Sequence, residues 1–297
     1  MGEDFLSPRS DLIFKLLFGN EHGVEQLTDF LKAVLRLPAD DYDEVIFVDP
    51  HMLPGFEGDK LGILDVKLKT RSKKTIDIEI QLKPALEFKE RMIFYSAKMI
   101  TEQLGAGEDY TQIKRAISII ITDYPLISDS KEYHNRYTLN DADTHSEFTD
   151  IIEIDTLELT KLPESGDETQ LWDWMKFLSA RSEEDLNMIA QRNPQVKKAV
   201  ARLMELSKDE QTRLLYESRQ KMEWDNISRE KDARAEGLRE GRKEGRKEGQ
   251  KEGWTEGRKR ERIIIAKKLL SRNRPIDEIM EDTGLSRDEI ETLRKNV

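Results

Sequence analysis

LGILDVKLKTRSKKTIDIEIQL, residues 61–82, alternates apolar and polar positions on both sides of a Lys/Arg/Ser turn. A period of two is the mark of a half-buried β-hairpin. If Leu64, Val66 and Leu68 share a buried face with Ile76, Ile78 and Ile80, one register pairs Leu68 with Ile76, Val66 with Ile78 and Leu64 with Ile80. It closes the turn through Arg71 to Lys73 and sets Asp65 opposite Glu79. The next register with the same buried face opposes Asp65 to Gln81 and keeps Glu79 one step along. In both, Asp65, Glu79 and Gln81 converge. Like charges opposed across two strands are destabilising, so positive charge belongs between them. A divalent cation is one source, since hard ions such as Mg²⁺ take carboxylate oxygens and complete their shell with water and phosphate. The neighbouring Lys67, Lys69 and Lys83 are another, which makes the same face an ordinary solvated surface of mixed charge.

Outward from the hairpin the pattern is that of a mixed sheet backed by helices. SDLIFKLLFGNEHGVEQLTDFLKAVLRLP gives two helices broken between Gly19 and Gly23, the second carrying Val24, Leu27, Phe30, Leu31, Val34 and Leu35 at helical spacing. DEVIFVDP, residues 43–50, is a short strand or connector. EFKERMIFYSAKMITEQL, residues 87–104, is an amphipathic helix. RAISIIITDYPL, from Arg115, is a nearly unbroken β-branched run that suits a strand covered on both faces. YHNRYTLND and FTDIIEIDTLELTKLP are read as paired edge strands, and from ETQLWDWMKFLSA the pattern is helical to about Arg229. Trp172 and Trp174 are expected in a core or interface rather than as platforms for bases.

Composition removes several function classes. The chain has no cysteine, which excludes disulfides, thiolate metal sites and cysteine nucleophiles. His22, His51, His134 and His145 show no paired ligand spacing and read as surface or turn residues. No apolar run is long enough for a membrane span, and MGEDFLSPRSDLIF lacks the basic-then-apolar order of a secretory leader, so the expectation is a cytoplasmic protein with no membrane partner. A net charge of -11 argues against a global basic field for nucleic acid, though not against a local basic patch beside an acidic site.

The C-terminal part is of another kind. Glu-Gly recurs every four residues from Glu236 to Gly257. The charge spacing favours helix while each glycine costs roughly 1 kcal/mol against alanine, so the repeat is either a flexible tether or a helix paired along its glycine stripe. Beyond it, Pro275 suits a helix start, Gly284 a stop, and Ser286 with Glu289 a capping box. The resulting divisions are a core at 1–165, a helical region at 166–231, the charged repeat at 232–262 and a helix-turn-helix-like association unit at 263–297. The apolar Ile263, Ile264, Ile265, Leu269 and Leu270 are more than so short a unit usually buries alone. That implies at least a homodimer through the C-terminal segment, and a free C-terminal fragment that would pair with the full-length tail and inhibit it.

In ordered combination, SDLIFKLLFG, ILDVKLKT, IDIEIQ and RMIFYSAKM resemble the recombination-promoting nuclease (Rpn) family, also called PD-(D/E)XK nuclease family transposases. The resemblance covers roughly residues 5–160, and the Glu-Gly tail is also typical of that family. It implies an α/β (α+β) restriction-endonuclease-like core in which Asp65 and Glu79 ligate Mg²⁺ (or Mn²⁺/Ca²⁺), with the main-chain carbonyl of Ile80 as a further ligand. Gln81 stands where the wider superfamily has lysine; either it orients water as a neutral group, or Lys67 or Lys83 approaches from the side. Asp11 matches a polar position of the family and would hold a second metal through water or support the site. Lys69, Arg71, Lys73 and Lys74 around the turn, with Arg91 and Lys98 on the following helix, are candidate phosphate contacts. Tyr95 shares the face of Arg91 and Lys98 and equally suits packing against the sheet while the cations snorkel.

The implied activity is metal-dependent DNA cleavage with little sequence specificity, in recombination, mobile-element biology or phage defence. The alternative is a non-catalytic DNA-binding or protein-interaction regulator acting through the last helical unit. The acids Asp277, Glu278, Glu281, Asp282, Asp288, Glu289 and Glu291 would repel a DNA backbone there.

Overall fold

The computed structural model describes residues 5–52, 62–63, 65–165 and 169–295. It divides into two compact units, Met1–Arg219 and Gln220–Val297. The first begins with α1 (Asp11–Phe18) and α2 (Val24–Val34). Ser10 caps α1 by accepting the Ile13 N–H, and the chain turns so tightly between the helices that a Cβ at Gly23 would lie 1.9 Å from the Leu17 carbonyl oxygen. Strands β1 (Val45–Phe47), β2 (His51–Met52), β3 (Gly62–Ile63), β4 (Val66–Thr70) and β5 (Thr75–Gln81) follow, then α3 (Phe88–Thr101), β6 (Ala116–Thr122), β7 (His134–Asn140) and β8 (Glu147–Glu158). Six of the strands form one mixed sheet in the order β1-β4-β5-β6-β8-β7, parallel at β5/β6 and β6/β8 and antiparallel elsewhere. The strands β2 and β3 form a separate antiparallel pair.

The hairpin takes the first of the two registers open to it: Val66 pairs with Ile78 and Leu68 with Ile76. Residue 64, and with it the pairing Leu64 with Ile80, lies outside the described residues. All seven residues of β6 are buried, as its unbroken apolar run requires of a central parallel strand. One face of the sheet, carrying Ile76, Ile78, Ile80, Ile117, Ile119 and Ile121, packs into the main core with α1, α2 and the helices α4 (Gln170–Ser179), α5 (Glu183–Ala190) and α6 (Pro194–Lys208). Trp174 is fully buried there among Phe18, Phe30 and Phe177, and its indole N–H donates to Asp29 at 2.9 Å. The indole N–H of Trp172, also buried, donates to the Pro163 carbonyl. The other face is covered by α3, whose Phe88 and Met92 meet Ile120 and whose Ser96 hydroxyl bonds that of Ser118 at 2.9 Å.

Two expectations are corrected here. Only β7 of the paired strands is at an edge; β8 lies between β6 and β7. On it Glu153, Asp155 and Glu158 are buried, and each has a cationic or imidazole partner. Glu153 takes Arg136 at 2.9 Å and Arg115 at 2.9 Å, Glu158 takes Lys161 at 2.8 Å, and Asp155 meets His134 at 2.7 Å. His134 is therefore a half-buried partner of a buried acid and not an idle surface residue.

The last long helix, α7 (Glu210–Leu270), contains the whole Glu-Gly repeat, so the repeat is helical. A Cβ at Gly237, Gly241, Gly245, Gly249, Gly253 or Gly257 would meet nothing within 4 Å, so among the described residues no second segment covers the stripe. In the second unit Ala266 of α7 is buried against Ile279 of α8 (Ile276–Thr283), Leu285, and Ile290 of α9 (Arg287–Arg294). Gly284 ends α8 in the left-handed conformation, and Ser286 with Glu289 forms the capping box of α9. The small unit thus buries a core of its own, while Ile264 and Ile265 remain exposed. No described helix is long and apolar enough to cross a membrane.

Candidate active site

Asp65 stands immediately before β4, and Glu79 lies near the end of β5, so the hairpin register brings them together at its open end. They are tied through the main chain as well: the Asp65 N–H donates to Glu79 Oε2 at 3.3 Å, and the Ile80 N–H donates to Asp65 Oδ2 at 3.0 Å. Both side chains are mostly buried, at 14% and 11% exposed. Burial and the charge of Asp65 push the Glu79 carboxyl up to about 7, against the pull of the Asp65 N–H, Arg91 and Lys15.

Cations approach from two helices. Lys15 of α1 places its ammonium 2.9 Å from Asp65 Oδ1. From α3, Arg91 donates through Nη2 to Gln81 Oε1 at 3.1 Å and lies 4.0 Å from Glu79 Oε1, its guanidinium stacked over the Phe88 ring. Gln81 is held at its other end too, its Nε2 donating to the Lys83 carbonyl at 2.8 Å.

One step back along the same face of β5, Asp77 is fully buried, and among the described residues neither carboxylate oxygen has a hydrogen-bond partner. Burial first, then Glu79 and Asp65, raise its carboxyl well above the ordinary range. Its strand neighbours are Lys67 and Ser118.

The remaining sequence-derived candidates do not gather here. The Lys67 ammonium bonds Glu102 beyond α3 at 2.9 Å. Asp11 pairs with Arg219 of α7 at 2.5 Å. Arg71 pairs with Asp43, Lys74 with the buried Asp41, and Lys73 occupies the turn with φ of 65°. These three, with the exposed Lys69, lie toward the closed end of the hairpin, about 16 Å from Asp65 at 3.3 Å per strand residue. Tyr95 packs against Met99, Ala116 and Ile120 while the Lys98 ammonium lies over the Phe94 ring. Sequence reasoning passed over Lys15 and Asp77. The signals were a single cation in the otherwise apolar LIFKLLF, and an acid two positions before Glu79 in a strict alternation.

The donor set suits a small hard cation. Two mostly buried carboxylates with no nitrogen or sulfur ligand match the one or two protein carboxylates that hold Mg²⁺ when water and phosphate supply the rest. Among the described residues no group of three or more acids or histidines has metal-holding geometry, so water and substrate oxygens would have to complete the shell of a bound ion.

The raised Glu79 carboxyl gives a pH prediction for the cation-free protein. Between its ordinary 4.5 and about 7 the folded chain keeps a proton that the unfolded chain releases. Stability therefore falls as pH rises through that window and stays low above it. Glu79→Gln should match wild type in urea denaturation with chelator at pH 5 and exceed it by about 1–3 kcal/mol at pH 8. An equal difference at the two pH values would contradict the assignment.

A model of the PD-(D/E)XK nuclease family transposase matches residues 8–233, which takes in the sheet, α1, α3 and every residue placed at the site. No curated protein and no solved structure matches the chain significantly. With a match over most of its length and a mixed six-stranded sheet flanked by helices, the chain belongs to the PD-(D/E)XK nuclease family transposases.

Proposed function

We propose that this chain is a divalent-cation-dependent DNA endonuclease that hydrolyses phosphodiester bonds with little sequence specificity. The observation that carries the proposal is the Asp65–Glu79 pair, mostly buried, mutually repelling and flanked by Lys15 and Arg91. Two carboxylates facing a phosphate only repel it, so the site needs a cation before it can receive DNA. Asp65 and Glu79 would hold Mg²⁺ or Mn²⁺, with the Ile80 main-chain carbonyl as the further oxygen that the family resemblance implies. The bound ion supplies a more acidic water and neutralises charge on the phosphate. Arg91, held by Gln81 and half-exposed, offers a guanidinium to a phosphate oxygen. Gln81 has both amide ends engaged, so its part is to fix Arg91 rather than to replace a lysine.

Contacts of this kind go to the backbone and carry no base information, which favours low sequence specificity. Such a nuclease suits recombination, mobile-element turnover or phage defence. The regulator reading is weakened by the second unit itself, whose helices expose Asp277, Glu278, Asp288 and Glu291. The proposal also includes self-association through the C-terminal segment, supported by the uncovered glycine stripe of α7 and by exposed Trp254, Ile264 and Ile265. A free C-terminal fragment using the same surface would then inhibit the full chain.

The first test is cleavage of supercoiled plasmid. Wild type should nick it with Mg²⁺ or Mn²⁺ and not with chelator, and Asp65→Asn or Glu79→Gln should lower the rate by at least about a hundredfold while the protein stays folded, each variant losing a charged ligand. Full activity in both variants would remove the assignment. The second test is light scattering of the full chain, where at least a dimer is expected and loss of residues after Arg229 should give a monomer. A monomeric full chain would remove self-association, and a tail fragment without effect on cleavage would remove inhibition.

A further inference from the structure

Each oxygen of Asp65 already has a partner: Oδ1 takes the Lys15 ammonium at 2.9 Å and Oδ2 takes the Ile80 N–H at 3.0 Å. Of these two, the main-chain donor belongs to β5 and is fixed by the sheet. The ammonium sits at the end of a flexible side chain that is one-third exposed on α1. A cation that binds Asp65 therefore meets Lys15 first.

We infer that Lys15 is a built-in counter-ion of the site, which occupies the cation's place on Asp65 and is displaced when the cation binds. The inference rests on the proposed metal-dependent reading of the Asp65–Glu79 pair. Three observations carry it. Lys67 pairs with Glu102, and Arg91 bonds Gln81 and lies 4.0 Å from Glu79 rather than on Asp65, whereas the Lys15 ammonium meets Asp65 directly. The pair is mostly buried, so charge there is poorly screened and an internal ion is worth more than on an open surface. The Lys15 side chain is also one-third exposed, so packing does not lock its ammonium onto Asp65; once displaced it would offer its charge to a phosphate bound beside the cation. One residue then does two jobs in sequence, holding the acids in place before the cation arrives and adding positive charge toward the substrate afterwards. The α1 helix positions it for this, with Ile13, Phe14, Leu17 and Phe18 anchored in the core and Lys15 on the opposite side.

Such a competitor predicts opposite effects on binding and on turnover, a split that a purely structural lysine would not produce. Mn²⁺ binding to the full chain is measured by calorimetry for wild type, Lys15→Met, Lys15→Gln and Lys15→Arg, with plasmid cleavage at saturating Mn²⁺ and thermal melting in parallel. Both neutral variants should bind Mn²⁺ at least about fivefold tighter, the scale of one partly exposed ion pair, while cleaving more slowly at saturation. Lys15→Arg, which keeps the charge, should stay near wild type in affinity. Unchanged or weaker Mn²⁺ binding in a folded neutral variant would overturn the inference while leaving the nuclease reading intact if wild type still binds and cuts. A wild-type chain that neither binds Mn²⁺ nor cuts DNA would overturn both. Neither neutral variant removes core volume; if both nevertheless melt below the assay temperature, Lys15 is a structural residue and the inference fails.

Discussion

The repulsion between Asp65 and Glu79 is the constraint around which this end of the molecule is arranged. The hairpin register forces the two acids together, and the sheet leaves them little freedom to part, since Ile80 donates to one and the Asp65 main chain donates to the other. Burial makes their coexistence more costly, and the protein answers with protons and cations. The Glu79 carboxyl is pushed up to about 7, that of Asp77 beside it is raised by burial, and Lys15 covers one oxygen of Asp65. On the proposed reading, a small divalent cation would replace those provisional charges.

The two helices beside the hairpin divide the work. The α1 helix, rooted in the aromatic cluster around Trp174, brings Lys15 to Asp65; α3, rooted on β6 through Phe88 and Met92, brings Arg91 to Gln81 and Glu79. Placing a glutamine at position 81 leaves that strand position without a charge of its own, and the positive charge comes from the helices instead. Elsewhere the same sheet treats its acids differently. Glu153 and Glu158 have direct ion pairs, and Glu153, drawn down by Arg136 and Arg115 against its burial, is a structural anion. Around Asp65, Asp77 and Glu79 the paired cations are Lys15 and Arg91, two against three acids.

How much of this was legible in the sequence depended on whether the signal was local. Strict alternation around a short turn fixed the hairpin and its converging acids, and the β-branched run of β6 announced a strand covered on both faces. The capping box at Ser286 and the stop at Gly284 are local chemistry and were readable. Long-range pairing was not. The burial of the β8 acids was not readable, because the arginines and histidine that neutralise them lie about 17 to 38 residues away, on β7 and just before β6. Lys15 is separated from Asp65 by an entire helix and three strands, and no spacing rule connects them. The turn lysines illustrate the reverse error: close in sequence to the acids, they sit at the other end of the hairpin.

The central claim is that Glu79 shares a strained, cation-seeking site with Asp65, and proton release on cation binding tests it most directly. In weakly buffered solution at pH 6, saturating the full chain with Mn²⁺ should release a quantity approaching about one proton per chain, fading by pH 8 and absent in Glu79→Gln. Mn²⁺ binding without proton release at pH 6, or release that persists in Glu79→Gln, would contradict it.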